Sequence, residues 1–190
     1  MKSLSVSVLV LLWLSLSGCV SLTKGASDDL VDQYHGKRTT GAVIEDRSIR
    51  RKIRINLART DEKLDTPYIT VASFNRNVLL VGQVENERLK QQAGEVAKAI
   101  RHVRNVNNEL TVVGRRSALT RGNDGWIGTK VKTRLLLTPN TPGRRTRVIT
   151  DQGVVYLMGL LTRAEVDAVV EATQKVRGVQ KIVKAVEYID

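Results

Sequence analysis

The sequence has 190 residues, of which 42% are hydrophobic and 26% charged, and this composition excludes disordered and collagen-like proteins. A single cysteine excludes an intramolecular disulfide, and one Cys with two His residues leaves little material for a structural zinc site. Lys and Arg outnumber Asp and Glu by 31 to 19, which indicates a polyanionic partner, either nucleic acid or an anionic membrane surface.

The N-terminus has the features of a secretory signal. Lys2 precedes an apolar stretch from Leu4 to Leu16, which is too short to span a bilayer comfortably, and small residues follow it. We therefore predict a signal peptide over residues 1–18 and exclude it from the fold.

The residues that end this signal are Leu16-Ser17-Gly18-Cys19, which resemble the lipobox of bacterial lipoproteins. That resemblance implies that Cys19 becomes the acylated first residue of the mature protein. Val20 comes next, where many inner-membrane lipoproteins carry Asp, so the same resemblance implies sorting to the outer membrane. The alternative is an ordinary signal followed by an unrelated cysteine.

Residues 19–45 are rich in Ser, Thr, Gly and Asp and show no sustained periodicity, which predicts a flexible tether behind the lipidated cysteine. A protein held on the periplasmic face of the outer membrane meets no nucleic acid. The basic charge then indicates lipid head groups, cell-wall polymers or acidic proteins.

The rest of the chain is an internal repeat. The run NVLLVGQV at 77–84 matches GVVYLMGLL at 153–161, and each apolar run follows a turn and precedes a helical pattern. Matching patterns extend to both sides. The repeat predicts two modules, residues 46–113 and residues 124–190, joined by residues 114–123.

Each copy is predicted to contain helix, strand, strand, helix and strand, in that order. The two strands form a hairpin, because Asn, Asp and Gly supply the positive φ of tight turns at 75–77 and 151–153. The fold class is therefore α+β, with two helices on one face of a three-stranded mixed sheet in each module. One apolar stripe recurs at helical spacing in the first helix of each copy: Ile49, Ile53 and Leu57, then Ile127, Val131 and Leu135.

Polar residues and glycine mark the predicted helix ends. Asp46 and Asp124 are placed to cap the N-termini of the two first helices. Thr162 and Glu165 have the spacing of a capping box, and Gly178 is predicted to cap the C-terminus of the last helix.

This arrangement resembles the BON domain family. The resemblance lies in a glycine inside the second strand of each copy, Gly82 and Gly159, and in the Arg177-Gly178-Val179 sequence after the last helix. The first copy departs from it by carrying Asn105 in place of the second glycine, although Asn can also adopt a left-handed cap.

Two such modules behind a lipobox resemble the dual-BON-domain outer-membrane lipoproteins of Gram-negative bacteria. The resemblance implies a non-enzymatic protein that binds phospholipid through its second module and supports envelope integrity.

The residues themselves also predict no enzyme, no cofactor and no metal site. His35 falls in the tether and His102 near a helix end, and neither belongs to a recognisable Ser or Cys constellation. Gly122-Asn123-Asp124-Gly125 lacks the lysine and the spacing of a phosphate-binding loop.

The positive charge is concentrated between residues 114 and 147, where nine basic residues accompany one acid. Trp126, predicted in the first turn of the second module's first helix, is followed by Lys130 at i+4 and Arg134 at i+8. A tryptophan beside cations on a helix surface is typical of a membrane interface. The predicted phospholipid-binding set is Trp126, Lys130, Arg134, Lys132, Arg121 and Ile127. The alternative is that Trp126 closes the core between helix and hairpin.

We therefore predict a lipid-anchored protein that docks on anionic phospholipid, such as phosphatidylglycerol or cardiolipin, through its second module. The first module also carries a cationic helix, but no aromatic residue accompanies residues 47–54, so we interpret that helix as a solvated or protein-docking face. The alternative function is a periplasmic adaptor that recruits or regulates envelope enzymes as its protein partners.

Overall fold

The computed structural model describes residues 36–112 and 118–190, with side chains of the second module described from Asp124 onward. The first module contains α1 (Thr40–Thr60), a short 3₁₀ helix (Glu62–Leu64), β1 (Ile69–Phe74), β2 (Asn77–Val84), α2 (Glu87–Lys98) and β3 (Asn105–Val112). The second contains α3 (Ala118–Leu137), β4 (Arg147–Asp151), β5 (Val154–Met158), β6 (Leu160–Leu161), α4 (Arg163–Gln174), β7 (Lys181–Lys184) and β8 (Glu187–Tyr188). The predicted α+β class and element order are confirmed.

Each module is built on a three-stranded mixed sheet. In the first module β2 pairs antiparallel with β1 and parallel with β3, and in the second β5 pairs in the same way with β4 and β7. Strand β5 is interrupted at Gly159, beyond which β6 pairs in parallel with β8. The second-copy strand predicted to reach Leu161 is therefore two short strands.

The predicted apolar stripes form the two module cores. In the first module the stripe of α1 packs with Leu80 of β2 and Leu89 of α2. In the second module the stripe of α3 packs with Leu157 of β5 and Val169 of α4. Two helices thus cover one face of each sheet.

Asp46 and Asp124 do not cap helices, which corrects the sequence prediction. Each lies inside the first helix of its module, is buried, and accepts hydrogen bonds from the hairpin turn. The Asp46 carboxylate accepts from the backbone N–H groups of Asn75 (2.9 Å) and Arg76 (2.8 Å), and Asp124 from those of Gln152 (2.8 Å) and Gly153 (2.9 Å). These four turn residues have positive φ, so each carboxylate ties a tight hairpin turn to the helix across about 29 residues of sequence.

Burial and hydrogen bonding act in opposite directions on Asp46. Burial raises its pKa, but the N–H groups of Arg76 and Asn75, the Ser73 hydroxyl and the Arg38 guanidinium together hold the pKa below its usual 3.8. The carboxylate is therefore charged at neutral pH and stabilises the fold at any pH above its ordinary titration range.

Several predicted boundaries shift in the structure. Helix α1 begins at Thr40, capped by the Thr39 hydroxyl, and so includes residues that we predicted to belong to the tether. Helix α3 begins at Ala118, within the predicted joint. The capping box of Thr162 and Glu165 is confirmed.

The helix caps predicted at Gly178 and Asn105 are wrong, because neither residue ends a helix. Helix α4 ends at Gln174, and Gly178 lies beyond it, with φ of 103°, in the turn before β7. In the first module Asn105 starts β3, and His102 has the left-handed conformation, with φ of 73°.

The two modules pack together through the sheet faces that their own helices leave open. Ala72 and Phe74 of β1 and Leu79 and Val81 of β2 form one side, and Tyr156, Met158 and Leu160 form the other, all of them buried. These side chains form a third apolar core between the modules. Burial of each large apolar side chain in it contributes roughly 1.5–3 kcal/mol to stability. The result is a four-layer arrangement in which helices form both outer layers.

A polar contact at the rim also crosses between the modules. Glu187 of β8 accepts hydrogen bonds from the side-chain amides of Asn75 (2.9 Å) and Asn77 (2.8 Å) and from Arg104 (2.8 Å). Burial raises the pKa of Glu187, but these three donors outweigh it and leave the pKa below its usual value. The charged carboxylate thus links β8 to the hairpin of the first module.

Tyr156 provides a spectroscopic test of this interface. Burial first, and then the negative charges of Glu109 and Asp151, raise its pKa from 10 to about 12. Because the pKa is raised, the stabilisation from keeping the phenol neutral is present below pH 10 and is lost as pH rises through about 12. We expect ultraviolet titration at 295 nm to show an ionisation step near pH 12, and Tyr156→Phe to remove that step. If no such step is observed, or if Tyr156→Phe does not remove it, the sheet faces are not packed together.

Candidate functional site

Helix α3 lies in an outer layer, with one face in the core and one in solvent. Ile127, Val131 and Leu135 point inward and are at most 1% exposed. Trp126 precedes this stripe by one position and is 63% exposed. The alternative in which the indole closes the core is therefore wrong. Since α3 begins at Ala118, Trp126 lies in its third turn and not in its first.

Lys130 accompanies Trp126 on the solvent side of α3. Its ammonium lies 5.8 Å from the centre of the indole ring and donates a 3.0 Å hydrogen bond to the carbonyl of Arg177. A cation at this distance from an aromatic face is attracted by the ring quadrupole. Arg134 follows one turn later and is exposed. The predicted grouping of an indole with two cations is therefore present on one exposed flank.

Leu136 and Leu137 belong to the same surface, and sequence reasoning missed them. Leu137 is 77% exposed, and at 100° per residue it lies only about 20° from Trp126 around the helix, roughly 16 Å further along it. The sequence does contain a feature that indicates their exposure, the run Leu135-Leu136-Leu137. Three consecutive residues of a helix cannot all face one core. We call the exposed surface formed by Trp126, Lys130, Thr133, Arg134, Leu136 and Leu137 the outer face of α3.

Two members of the predicted set do not belong to this face, and the side chain of a third lies outside the described residues. Ile127 is a core residue and cannot contact a surface ligand without unfolding, so its inclusion is wrong. Lys132 lies about 120° from Trp126 around α3 and lines a cavity on the other flank. The side chain of Arg121 lies outside the described part of the chain.

Cys19 and His35, with the signal and most of the predicted tether, also lie outside the described residues. Within residues 36–112 and 118–190, no helix is long and apolar enough to cross a bilayer. The same ranges contain no cluster of three or more His, Cys, Asp or Glu side chains that could hold a metal ion. His102 is partly exposed, with its Nδ1 atom 3.1 Å from the Glu45 carboxylate.

Helix α1 presents a second exposed mixture of cations and apolar side chains. Ile44 and Ile55 are exposed and lie within about 20° of each other around the helix. Arg47, Arg51 and Lys52 are exposed beside them. This face lies on the outer layer of the first module, and no aromatic residue belongs to α1.

Comparison with known proteins identifies both modules. The model of the BON domain matches residues 45–114 and 123–190. An outer membrane lipoprotein of Haemophilus influenzae, DolP, is 31% identical over 176 residues, which cover 92% of this chain and 91% of the relative. A 21 kDa hemolysin of Actinobacillus pleuropneumoniae is 29% identical over 80% of this chain and 78% of its own. The osmotically-inducible protein Y of Escherichia coli is 29% identical over 84% and 80% respectively.

The neighbouring residues Trp126 and Ile127 test the orientation of α3. Ile127→Ala leaves a cavity in the second core and should cost about 2–5 kcal/mol in the free energy of unfolding. Trp126→Ala removes an exposed side chain and should cost no more than about 0.5 kcal/mol. Urea denaturation of both variants measures the difference. Equal losses would mean that the indole is part of the core.

Proposed function

The chain belongs to the BON domain family, with two BON domains in tandem, and on this basis we propose that it is a non-enzymatic outer-membrane lipoprotein that docks on anionic phospholipid through the outer face of α3. The observation that carries the proposal is the exposure of Trp126 and Leu137 beside two cations. The similarity to the outer membrane lipoprotein of Haemophilus influenzae supports the outer-membrane location.

The apolar part of this face suits the boundary between head groups and acyl chains. Trp126 and Leu137 lie on one side of α3 and are separated by about three turns, so a helix lying flat on a membrane would insert both side chains together. An indole prefers head-group depth, because its ring is apolar and its N–H needs a polar partner. Leu136 extends the apolar area on the neighbouring flank.

The charge of the face favours anionic lipid over neutral lipid. Lys130 and Arg134 lie beside the apolar residues, and the segment 125–137 contains no Asp or Glu. Each Lys or Arg near an anionic surface is worth roughly 1 kcal/mol and is screened within a Debye length of about 8–10 Å at physiological salt. Two cations therefore add a modest attraction that depends on salt, and the apolar residues supply the remainder.

Acylation at Cys19 would anchor the protein to the periplasmic face of the outer membrane, since two or more acyl chains hold a protein stably in a bilayer. Docking of α3 would then determine the orientation of the folded part and the lipid composition of the region where it settles. Phosphatidylglycerol and cardiolipin are the lipids whose charge suits this face. Protein partners of the envelope would meet the surfaces that remain exposed.

A second candidate function is that of an adaptor, and the exposed face of α1 favours it. Ile44 and Ile55 with Arg47, Arg51 and Lys52 form a surface suited to an acidic, partly apolar protein segment. Because α1 lies on the outer layer opposite to α3, this surface would stay accessible while α3 rests on lipid.

Vesicle co-sedimentation of unacylated protein, residues 20–190, tests the proposal without the anchor. We expect binding to vesicles containing phosphatidylglycerol, weak binding to pure phosphatidylcholine, and weaker binding at higher salt. Trp126→Glu and Leu137→Glu each place a charge where the membrane would be and should reduce binding at least tenfold.

Ile55→Glu is the matched control, because it makes the same change on an exposed apolar residue of α1. Binding by Ile55→Glu should equal that of the unmodified protein. If Trp126→Glu binds as well as the unmodified protein, or if Ile55→Glu loses as much, the outer face of α3 is not the docking surface.

A further inference from the structure

A cavity of about 430 Å³ lies where the two modules meet, on the flank of α3 that faces away from Arg134. The first module contributes Tyr68 and Gln83, and the second contributes Gly128 and Lys132 of α3 and Thr150 and Asp151 of β4. Its volume lies within the range of roughly 300–1,000 Å³ that is usual for small-molecule sites. None of these residues belongs to the outer face of α3.

Two residues of the lining, Gln83 and Thr150, each carry a buried polar atom without a hydrogen-bond partner: the side-chain amide nitrogen and the hydroxyl oxygen. They are the only two such side-chain atoms in the described part of the chain, and both belong to residues that line this cavity. Gln83 is 8% exposed, so bulk water cannot freely satisfy its amide. Leaving a buried donor unpaired is destabilising, so two such groups in the lining of one cavity make that cavity suited to a polar ligand.

Gly128 shapes the α3 wall of this cavity. A methyl group at its Cα would lie 3.1 Å from the Thr150 hydroxyl, so any larger residue would crowd that hydroxyl. Glycine inside a helix is destabilising relative to alanine. Its presence here keeps the space in front of Thr150 open.

The charge of the lining decides which class of ligand fits. Asp124 and Asp151 line the cavity against the single cation Lys132, so a phosphate or another strong anion is not favoured there. The Gln83 amide nitrogen and the Lys132 ammonium are groups that can only donate hydrogen bonds, whereas the Thr150 hydroxyl can both donate and accept. Groups that also both donate and accept match this lining best, and sugar hydroxyls have that property.

An aromatic residue of the lining, Tyr68, also suits a sugar ring. Tyr68 and Pro67 form an apolar part of the wall on the side of the first module. A sugar ring has apolar C–H faces and hydroxylated edges, and so needs both an apolar wall and polar partners. From this combination we infer that the cavity between the modules binds a neutral saccharide unit, with Gln83 and Thr150 hydrogen-bonded to its hydroxyls and the ring against Tyr68.

Side-chain amide NMR of the full-length protein tests this inference. The sample should be in a phosphocholine detergent, because that head group carries no sugar that could compete. The probes are glucose, galactose, mannose, N-acetylglucosamine and, separately, inorganic phosphate. At least one saccharide should shift the Gln83 side-chain amide resonance saturably, and phosphate should shift it at least tenfold less at equal concentration.

Four variants make the result specific. In Thr150→Val, which preserves shape, and in Gly128→Leu, which fills the cavity, the apparent affinity for that saccharide should fall at least tenfold. Gln91→Leu on exposed α2 and Trp126→Glu should leave it unchanged, which separates this site from membrane docking. Three results would overturn the inference: no saturable shift with any saccharide, larger shifts with phosphate than with the saccharides, or Thr150→Val and Gly128→Leu variants that bind the saccharide as tightly as the unmodified protein. The cavity would then hold water only.

Discussion

The packing of one sheet face against the other is the constraint on which this molecule depends. Each module has two helices for only one face of its sheet, and the second face is covered by the other module through Phe74, Leu79, Tyr156 and Met158. Interfaces between domains are usually more polar and allow relative motion. This interface is apolar at its centre, so the two modules form one body with α1 and α3 in its two outer layers.

That arrangement explains how one repeated module can carry different surfaces. Both copies use a buried aspartate of the first helix to hold the hairpin turn, so their scaffolds are equivalent. The solvent-exposed residues of the first helix take no part in that contact with the turn, so they can differ between the two copies. In the second module this helix carries Trp126 and Leu137, and in the first it carries Ile44 and Arg51, which gives two different exposed faces on opposite outer layers.

Much of the fold could be predicted from the sequence because it rests on local periodicity. The helix stripes, the hairpins and the capping box each involve residues that are close along the chain. The role of Asp46 could not, because its partners lie about 30 positions away and an aspartate before an apolar stripe is also a common N-cap. The module interface does have a signal in the sequence, the continuous apolar run at residues 78–81. A strand without alternation of apolar and polar residues is covered on both faces, and β2 is buried from Val78 to Val84.

The type of site could be predicted from the sequence, but not every residue that forms it. Helical spacing alone places Trp126, Lys130 and Arg134 together, whereas it cannot show that Lys132 meets the first module across a cavity. Leu137 is 77% exposed, and an apolar residue type does not by itself show whether a side chain is buried. The exposed leucine makes this face more apolar than the sequence suggested.

The most direct measurement is paramagnetic relaxation enhancement, recorded on the full-length protein in nanodiscs that contain phosphatidylglycerol and a head-group spin label. Docking through the outer face of α3 predicts strong broadening of the amide resonances of Trp126, Thr133 and Leu137 and little broadening for α1, which lies in the opposite outer layer. Equal broadening along α1 and α3, or broadening centred on another element, would contradict it.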